Sequence, residues 1–193
     1  MKKKTVALLL ALVMVFGAAI GGTFAYLTAK TDAVKNTFTV GNINIDLYEH
    51  DADGEKAMER NDYVMVPDTK LDKDPTVEVL KNSEACWLFV KVEKSSNLDS
   101  FISYTIADGW TALPGVDGVY YRSVDADTAA AGETYSVLAN DKVTVKASVD
   151  KAMMDALTEN TYPTLTFTAC AVQSAGLTTA ADAYAQAPAD FKA

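Results

Sequence analysis

The residues able to do chemistry are few, and most stand together. Residues 49–55 read Glu49-His50-Asp51-Ala52-Asp53-Gly54-Glu55, and His50 is the only histidine in the chain. A catalytic zinc usually takes three protein ligands, commonly imidazoles, with a fourth position open to water. One imidazole cannot supply that set. There is no H-E-x-x-H, and Glu49-His50 runs in the wrong order for it. Serine and cysteine nucleophiles want a base for the same reason, because a triad would have to be built around His50 in an acidic loop. Glycine-rich phosphate loops are absent. These residues point away from an enzyme, and they assign no catalytic residue, metal or cofactor. Hard oxygen ligands are the one donor set present: Asp51, Asp53 and Glu55 around Gly54 suit calcium. The terminal glutamate of a twelve-residue calcium loop is missing, however, and an ordinary acidic turn accounts for the same residues.

The elements that must hold this loop follow an export segment. Met1-Lys2-Lys3-Lys4 is a basic start, residues 5–20 carry no charge, and residues 17–25 are rich in small side chains. That layout is a signal peptide, with Thr23 and Ala25 at the −3 and −1 positions of a cut before Tyr26. An uncleaved anchor is the competing reading, since the apolar run counted through Leu27 has about the length a bilayer needs. The glycines and the threonine favour cleavage, which leaves the membrane a partner only through the uncut signal. The formal charge is −9, from 17 bases and 26 acids. Loss of Lys2, Lys3 and Lys4 with the signal leaves 14 bases and a balance of −12. An acidic surface of that size excludes nucleic acid as a partner and keeps exported copies apart.

Three segments are expected: a signal peptide over residues 1–25, one β domain over residues 26–173, and an alanine-rich tail over residues 174–193, read as a frayed helix or a disordered end. The domain opens on its strongest strand pattern. Phe38 and Val40 alternate with threonines, then Ile43, Ile45 and Leu47 alternate with Asn44 and Asp46. The phase shifts at Gly41, which predicts a bulge or kink there. Such a strand must find a sheet, in its own subunit or in another. Residues 85–93, A-C-W-L-F-V-K-V-E, read as a central strand covered on both faces. Residues 63–66 read as a short strand, Asp117-Gly118 is a hairpin signal, and residues 125–132 read as an alanine-rich loop. Asp150 caps a short helix, and residues 164–173 form the last strand. Eight or nine short strands with one inserted helix predict an all-β fold, an antiparallel two-sheet β-sandwich.

Cys86 and Cys170 lie in strand-like runs, and an even count in an exported protein invites a disulfide. Strand phase discourages it. Cys86 shares a parity with Leu88, Val90 and Val92, whereas Cys170 falls with Thr166 and Thr168, opposite Leu165 and Phe167. A bridge, two buried thiols, or one buried and one exposed thiol all remain open. Trp110, Tyr120 and Tyr121 divide likewise between core packing and a contact or sugar-binding patch.

The run G-G-T-F-A-Y-L-T at residues 21–28, followed by N-T-F-T-V-G-N-I-N-I-D-L at residues 36–47, resembles the N-terminus of the TasA/camelysin family of Gram-positive secreted proteins. The resemblance is specific over roughly residues 2–49 and continues as pattern through Gln173. It implies a jelly-roll-like sandwich, cleavage by a SipW-type signal peptidase, and assembly with itself into extracellular biofilm fibres. Camelysin-like members have been classed as metallopeptidases, a label that the single histidine disfavours. Together these readings predict a secreted structural protein of the cell surface or matrix, whose fibre contact is a donated strand carrying Phe38, Val40, Ile43, Ile45 and Leu47. A monomeric secreted binding or adhesion module is the alternative.

Overall fold

The computed structural model describes residues 41–50, 54–57 and 63–193. Antiparallel strands dominate. In chain order they are β1 (Ile45–His50), β2 (Lys56–Ala57), β3 (Lys70–Asp72), β4 (Thr76–Val79), β5 (Cys86–Lys94), β6 (Ile102–Ser103), β7 (Thr111–Ala112), β8 (Val119–Val124), β9 (Glu133–Ser136), β10 (Lys142–Val145) and β11 (Leu165–Gln173). The short helices are α1 (Leu98–Phe101), α2 (Ala126–Ala131), α3 (Lys151–Asp155), α4 (Ala180–Gln186) and α5 (Ala189–Lys192).

Hydrogen bonding orders the strands as β2-β1-β4-β9, β3-β10-β6 and β11-β5-β8-β7, with every pairing antiparallel. The all-β, sandwich-like class expected from the strand pattern is the class found, with the ladders divided among three sheets and more helices than the one expected. β5 is the centre of the largest sheet. It pairs with β11 over nine residues and with β8 over six. Its alternate side chains enter two different cores: Cys86, Leu88, Val90 and Val92 face the interior shared with Val77, Val79 and Val137, while Phe89 faces a second cluster under the C-terminal helices. Leu88, Phe89 and Val90 are fully buried. At about 1.5–3 kcal/mol for each such side chain, those three residues contribute about 5–9 kcal/mol as an upper bound. The near-continuous apolar run therefore has a cause, because a strand covered on both faces has no solvent side for polar residues.

Gly118 ends the loop between β7 and β8 at φ +73°, and a Cβ there would stand 2.7 Å from the Val92 carbonyl oxygen. Only glycine fits that approach. Asp150 caps α3 as its sequence predicts, its carboxylate accepting from the Met153 N–H at 2.8 Å.

Several elements differ from the sequence reading. Strand β1 begins at Ile45. Residues 41–44 instead lie against the turn after β4: the Leu80 N–H donates to the Asn44 carbonyl at 2.9 Å and the Glu84 N–H to that of Asn42 at 2.9 Å. The alanine-rich stretch before β9 is the helix α2, capped by Asp125, which accepts from the Thr128 N–H at 2.9 Å. Residues 63–66 are extended but belong to no strand. The last twenty residues are neither frayed nor disordered. Helices α4 and α5 press Ala180, Ala183, Ala187 and Phe191 onto Phe89, Leu113, Val119 and Cys170.

Candidate functional site

Two edges of the sandwich stand open around a groove. Strand β11 pairs only with β5, and β3 only with β10, among the described residues. Between them runs an open groove of about 600 Å³. Leu71 and Lys73 come from the β3 side, Leu165 and Thr166 from β11, and Leu98, Ile102 and Val143 line it further in. Met65, Met154, Leu157 and Tyr162 complete it. Its size and apolar lining suit an extended peptide or a long aliphatic group.

The rim is unusual for an acidic chain. Four large hydrophobic side chains are exposed among the described residues, and they are Tyr63, Val64, Val66 and Tyr162. Tyr63 and Tyr162 line the groove, and Val64 and Val66 stand on the same extended segment as Tyr63. Val64 is 82% exposed. A cluster of this kind marks an interaction surface, because scattered single hydrophobics are ordinary and gathered ones are not.

One end of the groove is polar. The Lys73 ammonium meets Glu49 Oε1 at 2.6 Å, with only 11% and 14% of the two side chains exposed. Tyr63 Oη donates to Glu49 Oε2 at 3.0 Å. The same ammonium lies 5.3 Å from the Tyr63 ring and 5.4 Å from that of Phe167. Ion pairs this sheltered are costly to break singly, since the surviving charge is left without water or a partner. Glu49, Lys73 and Tyr63 thus tie the end of β1, the end of β3 and the exposed segment together.

His50 sits beside this cluster and has a structural partner. Its Nδ1 is 2.5 Å from Asp74 Oδ2, and its backbone N–H donates to Asp74 Oδ1 at 3.1 Å. Among the described residues no three histidine, cysteine or acidic side chains converge as metal ligands. Of the calcium candidates, Asp51 and Asp53 lie outside the described residues, and Glu55 is exposed.

Thr23, Ala25, Tyr26, Phe38 and Val40 also lie outside the described residues. Ile43, Ile45 and Leu47 are half-buried against the central core of their own subunit, and β1 pairs with β4 from Ile45 to Tyr48. Ile45 and Leu47 thus belong to the subunit's own sheet, and Ile43 packs against its core from outside the strand. Of the readings left open for the cysteines, two buried thiols is the one found. Both thiols are free and buried, Cys86 in the central core and Cys170 beneath the C-terminal helices. The β11–β5 sheet lies between them, which a bond of about 2 Å cannot cross. Burial pushes the Cys86 thiol up to about 11 and the Cys170 thiol up to about 12. Trp110 is core, with its indole N–H donating to the Ser136 carbonyl at 2.9 Å, and Tyr120 and Tyr121 are half-buried.

Sequence reasoning passed over the groove. Its residues come from six separate stretches, none with a pattern of its own. The one local signal was Tyr63-Val64-Met65-Val66, a β-prone apolar run between charged stretches.

The chain was compared with protein-family profiles, curated proteins and solved structures, and none matches. The class that fold and site define is therefore an antiparallel β-sandwich with an apolar groove between two open sheet edges.

Proposed function

We propose that the chain is a secreted structural subunit of the TasA/camelysin kind, a jelly-roll-like sandwich that polymerises into extracellular matrix fibres. After a SipW-type peptidase cuts before Tyr26, the freed segment upstream of Gly41 docks in the groove of a neighbouring subunit. Phe38 and Val40 are its apolar anchors, and Thr37 and Thr39 its alternate polar positions. The open groove between the β3 and β11 edges carries this reading, since unpaired edge groups and an apolar floor are what an added strand needs. Its position supports it further. Residues 41–44 run beside the turn after β4, at the Ile45 end of β1, whereas the groove is tied to Glu49 near the other end. At about 3.3 Å per residue Ile45 and Glu49 are roughly 13 Å apart along the strand. A donor emerging at one end and an acceptor at the other give head-to-tail addition, which propagates when it does not close. Zinc peptidase chemistry has no support in the groove, and His50 is engaged by Asp74.

The test compares chains beginning at Tyr26 and at Gly41 by electron microscopy and sedimentation. Filaments from the first and monomers from the second are expected. Equal filament formation removes the arm from the mechanism. Leu157→Glu, which places a carboxylate in the groove wall, is expected to stop growth of the longer chain without unfolding it.

A second reading rests on β1 itself. Because Ile45–His50 is hydrogen-bonded into its own sandwich, the subunit is complete without a donor, as a monomeric binding or adhesion module requires. Sedimentation as a monomer at every concentration and salt would favour it.

A further inference from the structure

Arg122 is the one arginine among the described residues. It projects from β8, its guanidinium carbon lies 3.8 Å from the centre of the Tyr135 ring on β9 and 5.3 Å from that of Trp110. Gly109 forms a third wall: at φ +86° it brings backbone so close that a Cβ there would stand 2.8 Å from the Arg122 Nη2. The guanidinium is held on three sides, and burial lowers its pKa from the ordinary arginine value. Yet none of its N–H donors is hydrogen-bonded and no carboxylate is ion-paired to it among the described residues. Glu133 is near enough to favour the charge without bonding it.

Acids outnumber bases 26 to 17 in this chain; Lys56, Lys73, Lys91, Lys94, Lys142 and Lys151 each have a carboxylate partner, whereas Lys70, Lys81, Lys146 and Lys192, like Arg122, have none among the described residues. Arginine at this position also matters chemically. A guanidinium presents five donors in a flat fork that matches a carboxylate, and stacking on rings leaves the fork's edge free while fixing its plane. Holding the fork in advance removes much of the entropy cost of engaging a ligand.

We infer that Arg122, clamped by Tyr135, Trp110 and Gly109, is a preformed receptor for a carboxylate, and that the carboxylate is an acidic side chain of a second copy of this chain. The source rests on the self-association proposed above; the receptor does not. Copies of an acidic protein offer carboxylates in excess, and a half-buried arginine gives two repelling surfaces one fixed point of register.

Two measurements test the two halves. The first titrates the chain beginning at Tyr26 with hexaglutamate and follows Trp110 emission and the Arg122 Nε–H resonance. Saturable changes are expected, absent in Arg122→Gln and weakened about tenfold in Arg122→Lys, which keeps the charge but loses the fork. A response that does not saturate, or that persists in Arg122→Gln, overturns the receptor. Thermal melting of both variants checks that they remain folded, and Arg122→Lys decides the matter if Arg122→Gln does not fold. The second compares sedimentation of wild type and Arg122→Lys at one salt concentration. Weaker self-association in the variant supports the second copy as source. Unchanged self-association alongside saturable hexaglutamate binding overturns that source and leaves the receptor standing; loss of filaments on removing residues 26–40 concerns only the arm.

Discussion

Cys86 and Cys170 show what burial does to a single group. Each is an acid whose ionised form has lost its water, so the folded state holds the proton to about 11 and about 12, while the unfolded chain releases it near ~8.5. Above that lower value the unfolded state binds fewer protons than the native one. Stability is thus fully present below pH ~8.5 and falls as pH rises, by about 1.4 kcal/mol per pH unit for each thiol until the folded value is reached. Urea melts between neutral and strongly alkaline pH are expected to show this slope, and Cys86→Ala with Cys170→Ala to flatten it. A double variant with the wild-type slope would refute the account. The opposite placement of the two thiols was readable from strand parity alone, because side chains alternate strictly between faces. The Glu49–Lys73–Tyr63 cluster was not, since its members are 24 and 14 positions from Glu49 and meet only when β1 and β3 converge.

The C-terminal helices are the element that a polar-looking tail conceals. Ala180, Ala183, Ala187 and Phe191 recur at helical spacing, and Thr179 caps α4 by accepting from the Asp182 N–H at 3.1 Å. The periodicity was visible, but alanines carry little hydrophobic signal, and their role became plain only against the face they cover. Small side chains let the helix backbone lie close to the sheet, where Phe89 meets Tyr184 with ring centres 5.7 Å apart. Phe191→Ala is expected to destabilise the fold by about 3 kcal/mol. Ending the chain at Gln173 is expected to lower the melting temperature and raise binding of an apolar dye, through exposure of Leu113 and Val119. Unchanged melting in both would make these helices ornaments. Residues 63–66 present the converse case: a β-prone run that the pattern reads as a strand is left without a ladder, its backbone beside the groove rather than in a sheet.

At the scale of the whole molecule, charge and groove oppose one another. In the chain beginning at Tyr26 a balance of −12 holds copies apart over the screening distance, about 10 Å at 0.1 M salt and about 3 Å at 1 M. Apolar docking is unaffected by that screening, and sheltered contacts such as the one inferred at Arg122 are screened much less. Added salt is therefore expected to speed assembly, read by light scattering of the chain beginning at Tyr26. Assembly slowed by salt would mean that exposed ion pairs, and not the groove, join the subunits.

The all-β class, the buried centre at residues 85–93, the α3 cap and the separation of the thiols were determined by the chain's own pattern. Each depends on periodicity within a few residues or on a side chain reaching its nearest backbone. The groove, the cover given by α4 and α5, and the clamp on Arg122 were decided by tertiary structure. They arise where segments far apart in the chain arrive together, and no local pattern encodes which edges will be left unpaired once every other strand has found its neighbour.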